Sequence, residues 1–299
     1  MQRRLGIGAL LRDALAPVAP AVALLTQLGD TWFLLGLVLT AYLFGPTLPR
    51  LGLDRRDGAR LVAIALGAFA VTHTAKDLVA APRPAPAPAP AYLPAVLEAG
   101  YEWLVHTSSG GFPSGHAVGA TAVWGGLAVL ATWPDRGRRY ALAGTLVVLL
   151  AASRLALGLH VAVDVVVGVA IGLVVLVVLV RLPTPGHALA AVSGAAAVGF
   201  AVVFDGEAAA IFGAAVATTL VWLSLGESLT RADPGVRQVL AAALPLGMTT
   251  VAAAVLVERT DPPTAAIGLA SAVAGVVVLA VPLLVERTGR MALVQYFSR

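Results

Sequence analysis

Apolar runs of 17–22 residues alternate along this 299-residue chain with short polar stretches rich in arginine. The runs fall at 30–48, 60–81, 115–133, 140–157, 160–181, 188–204, 208–225, 236–257 and 264–285. A helix of about 20 residues is roughly 30 Å long, the thickness of a bilayer's hydrocarbon core. Backbone polar groups in lipid must be satisfied within the chain, which leaves helices as the way for such runs to cross. The pattern therefore predicts an all-α, polytopic transmembrane helix bundle of roughly nine spans. Pro245 and Pro282 are expected to kink their helices.

The longest break is the loop 82–112. It opens with a stiff proline-alanine stretch, Pro82 to Pro90, and then carries Tyr92, Tyr101 and Trp103, residue types that suit a membrane–water interface. The arginines set an orientation. Arg50, Arg55, Arg56 and Arg60 precede the second run; Arg136, Arg138 and Arg139 follow the third, and Arg181 the fifth. Arg231 and Arg237 lie between the seventh and eighth, and Arg287, Arg290 and Arg299 follow the ninth. With these on the cytoplasmic side, loop 82–112 faces outward. Residues 1–28 then start outside despite Arg3, Arg4 and Arg12, which leaves an interfacial helix or a further span open there. Leu10-Leu11 is too short an apolar core for a cleaved signal peptide.

Composition agrees. The chain is 59% hydrophobic and 12% charged, with a mean hydropathy of +0.90. A soluble domain carries about 25% charged residues. The net charge of +4 lies mostly in short loops, which reads as topology control and not as a nucleic-acid surface. With no cysteine, disulfides and thiolate chemistry are excluded.

Ionisable residues inside or beside the apolar runs cluster in three places. The first is Lys76, the only lysine, with Arg83-Pro84 seven residues on. On a helix that spacing places both cations on one face, while Pro82 and Pro84 turn Arg83 out of the membrane. Taken alone, the pair also fits two cations snorkelling to headgroups. The second is Pro113-Ser114-Gly115-His116, just before the third run. A helix start offers unpaired N–H groups to an anion; Ser114 adds a donor, Gly115 lets the ligand approach, and His116 is a candidate acid–base. An N-cap serine beside a chance histidine is the plainer alternative. The third is Ser153-Arg154, then His160 and Asp164. A membrane aspartate needs a partner. Four residues apart, Asp164 is expected to bond one nitrogen of His160 and free the other as a nucleophile. A structural His–Asp pair is the alternative. Together, two arginines, one lysine and two histidines make a site for a phosphate group. His73 lies one turn before Lys76, and His106 and His187 are expected to be loop residues.

The combination resembles the type 2 phosphatidic acid phosphatase (PAP2) family, whose signature is Lys-x6-Arg-Pro, Pro-Ser-Gly-His and Ser-Arg-x5-His-x3-Asp. All three parts stand here in the family's order and spacing. The resemblance implies a core of five or six helices within 1–181. Residues 182–299, about four further spans, are left as an accessory module without an evident role. It also implies a metal-independent, cofactor-free hydrolase of a lipid phosphate at the outer face of the cell membrane. Its substrate would be phosphatidic acid or a polyprenyl phosphate or diphosphate. Lys76, Arg83, Ser114, Gly115 and Arg154 would hold the phosphoryl oxygens. His160 would form a phosphohistidine, Asp164 would orient it, and His116 would act as acid and then base. The motifs do not separate a hydrolase from a phosphotransferase that passes the same phosphoryl group to an alcohol. A transporter that only binds the lipid phosphate is a third reading. Soluble vanadate haloperoxidases share the motif, and the membrane character argues against that activity.

Overall fold

The computed structural model describes residues 7–48, 50–84, 89–106, 109–242, 245, 248, 259–260 and 262–297. Among these there are eleven α-helices with described ends and no strand. They are α1 (Ile7–Leu15), α2 (Ala19–Thr26), α3 (Thr31–Phe44), α4 (Arg55–Val79), α5 (Ala95–Val105), α6 (Gly115–Leu130), α7 (Arg136–Ala156), α8 (Ala162–Arg181), α9 (Pro185–Val203), α10 (Gly206–Arg231) and α11 (Thr264–Phe297). Helices α3, α4 and α6–α11 coincide with eight of the predicted runs. Of the remaining run, residues 236–242 are helical and most of the rest, like Glu258 and Asp261, lies outside the described residues. Pro282 lies inside α11. The molecule is an all-α, multi-pass membrane protein.

Helix ends follow local chemistry. Asp54 caps α4 by accepting from the Asp57 N–H at 2.8 Å, and the Asp57 carboxylate accepts from the Asp54 N–H at 3.1 Å. The same helix stops where Ala80 turns left-handed (φ 44°), with its N–H on the Lys76 carbonyl. Asp30, Asp135, Thr184 and Asp205 cap α3, α7, α9 and α10 in the same way.

Helix α4 is central. It is buried on nearly every side and contacts α3, α6, α8, α9 and α10. The apolar core runs unbroken from Leu34 to Val285 across the 181/182 boundary. Tyr42 of α3 donates its hydroxyl to Leu279 O of α11 at 2.8 Å. At the arginine-rich end, Arg60 donates to Val180 O and to Leu182 O (3.0 Å), and Arg55 to Tyr42 O (2.9 Å) and Ala232 O (3.3 Å). These guanidiniums satisfy carbonyls that a helix end leaves unpaired.

The N-terminal segment, left open by the sequence, packs on one end of the bundle. Ile7–Gly29 is long and apolar enough to cross a membrane, but its two ends meet the same end of the bundle. A Cβ on Gly8 would lie 3.8 Å from Leu155 O, and one on Gly29 would lie 3.3 Å from the His116 ring. Between them, the Tyr92 hydroxyl donates to Pro17 O at 2.8 Å, and Gln27 Nε2 donates to Leu104 O at 3.1 Å. The segment is a broken helix that packs against the end of the bundle opposite Arg55 and Arg60.

Candidate active site

Close helix packing brings the three motifs together. Gly168 and Gly172 sit one turn apart on α8 and face α6. A Cβ on Gly168 would lie 2.8 Å from Ser114 O, and one on Gly172 would lie 2.6 Å from Val118 O. Only glycine lets the two backbones approach this closely. The Ser114 N–H then donates to Asp164 O at 3.0 Å, which fixes the Pro-Ser-Gly-His turn to the start of α8.

Lys76, Arg83, Gly115, His116, Arg154 and His160 line one cavity of about 680 Å³, with Ser114 and Asp164 buried behind them. Lys76 Nζ donates to Ser109 Oγ at 2.7 Å, and Arg83 Nη2 donates to the same oxygen at 3.0 Å. Two cations thus share one neutral hydroxyl. Arg154 Nη1 donates to Thr26 Oγ1 at 3.0 Å. Among the described residues, Ser114 Oγ and Arg154 Nε are buried with no hydrogen-bond partner, as is His116 Nε2, whose nearest carboxylate is Asp30 at 3.8 Å. A Cβ on Gly115 would stand 3.6 Å from Lys76 Nζ, so the glycine keeps the ammonium accessible. Three cations and several unsatisfied buried donors around one cavity fit a multivalent anion such as a phosphoryl group.

His160 departs from expectation in one respect. It lies in the turn between α7 and α8, two residues before α8 begins, so it does not share a helix face with Asp164. Gly158, with φ +69°, allows that turn. The hydrogen bond that sets the tautomer runs from His160 Nδ1 to Gly111 O at 2.8 Å, and Asp164 Oδ2 stands farther off at 3.6 Å. Asp164 Oδ2 instead accepts from the Val161 N–H at 3.0 Å, as a carboxylate in the first helical turn does. A carbonyl can only accept, so Nδ1 carries the proton and Nε2 presents its lone pair. Arg83 Nη1 faces that lone pair at 3.0 Å. Burial pushes the His160 imidazole down to about 4; the Asp164 contact opposes the shift and the Arg154 and Arg83 charges add to it. At neutral pH the ring is therefore uncharged. Burial also lowers Arg83 from its ordinary value, with Asp164 opposing.

The motifs do not name every residue around the cavity. Gly111, Ser109, Thr26 and Asp30 touch site residues but come from loops or from the N-terminal segment. The C-terminal half, expected to be an accessory module, contributes Asp205 and Glu207. His73 Nε2 meets Asp205 at 3.0 Å and Nδ1 meets Glu207 at 3.3 Å, which ties the start of α10 to α4 one turn below Lys76. His73 and Glu207 line the cavity, and so does His106, expected to be a bystander. Among the described residues, no three or more His, Cys, Asp or Glu side chains could hold a metal ion together.

Residues 58–187 match the family model of the PAP2 superfamily. The comparisons with curated proteins and with solved structures gave no match. The matched stretch contains all eight residues expected from the three motifs, from Lys76 to Asp164, and this stretch of the chain is a PAP2-superfamily domain.

Proposed function

We propose that this protein is an integral-membrane phosphatase that removes the phosphate of a lipid phosphate, phosphatidic acid or a polyprenyl phosphate or diphosphate, through a phosphohistidine on His160. Membership of the PAP2 superfamily supports a phosphoric ester hydrolase. The observation that carries the mechanism is the orientation of His160: Nδ1–H is fixed on the Gly111 carbonyl and Nε2 is turned toward the cations of the cavity.

The phosphate oxygens are held by Lys76, Arg83 and Arg154, with Ser114 Oγ and the Gly115 N–H as neutral donors. These groups stabilise the charge of an in-line transfer. Nε2 of His160 attacks phosphorus, and the bond to the lipid oxygen breaks. His116 gives its proton to that oxygen. Asp164 balances the positive charge on the phosphorylated ring. His116 then removes a proton from water, the resulting hydroxide attacks phosphorus, the P–N bond breaks, and His160 returns to neutral.

The setting favours a lipid substrate. Helix α6 has 16 residues, about 24 Å, shorter than a full span, so Ser114 at its start lies near the boundary of the apolar layer, where a lipid phosphate sits. The opposite end carries Arg55, Arg60 and Arg139, which by the positive-inside rule supports an outer-face site. Phosphate release from a panel of lipid phosphates in detergent tests the reading. The wild type releases phosphate, and His160→Ala lowers the rate at least about 10³-fold. Activity that appears only with an added alcohol means a phosphotransferase. Turnover that survives His160→Ala at the wild-type rate means the catalytic assignment is wrong.

A further inference from the structure

We propose that α10 and α11, with α3 and α4, enclose a groove for the hydrocarbon tail of the substrate, which makes the C-terminal helices part of the binding site. This inference rests on the lipid-phosphate reading above. The cavity that begins at Lys76, His116 and His160 does not end there. It continues along α4 past Phe69 and Leu66 to Val62, and along α11 to Leu279. Val62, Leu66, Phe69, His73 and Lys76 recur every three or four residues, so they form one face of the helix. From Lys76 to Val62 is fourteen residues, about 21 Å, longer than half the roughly 30 Å hydrocarbon core.

The facing wall is mostly small: Ala210, Ala214 and Thr218 beside Ile211 on α10, and Ser271, Ala274 and Gly275 before Val278 on α11. Thr218 turns its hydroxyl back onto Ala214 O at 2.8 Å, so it offers the cavity no free polar group. The gap is not loose packing in general. At Gly213 and Gly268 the same two helices approach so closely that a Cβ on Gly213 would overlap Gly268 O. Next to the far end, Tyr42 donates to Leu279 O and joins α3 to α11. Protein interiors leave few voids larger than a water molecule, and a large apolar void takes an apolar guest. With three cations at one end and aliphatic walls beyond, the occupant has an anionic head and one long apolar tail. The pairing of His73 with Asp205 and Glu207 holds α10 over the junction between the two parts.

Filling the groove at mid-depth tests this. Ala214→Leu and Ala274→Leu, each in nanodiscs of zwitterionic lipid, are compared with wild type on hexadecyl phosphate and butyl phosphate. The expected result is a KM for hexadecyl phosphate raised at least about tenfold, with kcat/KM for butyl phosphate within about twofold of wild type. Equal effects on both esters, or no effect on either, would overturn the groove. Thermal-shift binding of hexadecyl phosphate reads the groove independently of turnover. If wild type hydrolyses neither ester, the catalytic reading fails, while binding of hexadecyl phosphate that both variants lose upholds the groove. Binding unchanged in both variants overturns it.

Discussion

Adding one methyl group at Gly111 should impair the site without substituting any residue of the three motifs. Gly111 holds two strands of the site at once: its N–H donates to Ala81 O at 2.8 Å and its carbonyl accepts from His160 Nδ1 at 2.8 Å. A Cβ there would lie 2.7 Å from Pro82 O, 3.1 Å from Pro82 C and 3.2 Å from Arg83 Cα. All three are backbone atoms and cannot swing aside. A relaxed C···O contact is about 3.3 Å or more, so Gly111→Ala must push the Arg83 strand and the His160 acceptor apart by about 0.6 Å. That opens the 3.0 Å approach of Arg83 Nη1 to His160 Nε2. Misplacement approaching 1 Å costs up to about 10²-fold in rate, so kcat/KM should fall about 10- to 100-fold. The overpacking should also cost about 1–3 kcal/mol of stability. Gly110→Ala is the control: its Cβ would meet Lys76 O at 3.3 Å, and a shift of a tenth or two accommodates it. The assay is steady-state phosphate release in detergent, with melting temperature measured alongside. Gly111→Ala activity within threefold of wild type would refute the reasoning.

Other expectations concern the nucleophile, the helix contact and the buried guanidinium. The His160 pKa lies near 4 in the folded protein against an ordinary 6.5, so acid protonates the unfolded chain first; stability should fall as pH drops from about 6.5 to about 4, and the rate of enzyme phosphorylation should hold from pH 7 to 5. A phosphorylation rate that falls with a midpoint near 6.5 would contradict this. In Gly172→Val the added carbons meet Val118 O and Thr121 Cβ, so α6 and α8 must separate; a stability loss of about 1–3 kcal/mol and a parallel loss of activity are expected in a thermal melt and phosphate-release assay. Arg154→Lys keeps the charge but loses the planar fork, and the inhibition constant of inorganic phosphate should rise about tenfold in a competition assay.

Sequence spacing exposed most of the site because its chemistry is written in short local motifs. Eight of the nine apolar runs coincide with helices, six of them long and apolar enough to cross a membrane, while most of the run 236–257 lies outside the described residues. What stayed hidden depends on contacts between distant segments. Gly111 and Ser109 are ordinary loop residues until the loop folds back on Pro82–Arg83 and His160. Asp30 caps α3, and only the packing of Gly29 on His116 brings it to the cavity. Asp205 and Glu207 look like loop charges of a separate half, and acquire a role only because α10 packs beside α4. The His160–Asp164 spacing suggested a shared helix face. The chain instead spends Gly158 on a turn, and the imidazole takes a carbonyl from another loop as its main partner.

The central claim is the covalent intermediate on His160. It is tested most directly with a phosphorus-labelled aryl phosphate, whose leaving group does not need the His116 proton, followed by an alkaline quench. His116→Ala, unable to activate water, should accumulate close to one label per chain. The label should be lost in acid and map by mass spectrometry to His160, and His160→Ala should take up none. Label on another residue, label retained in His160→Ala, or substrate turnover with no label in either protein would contradict the account.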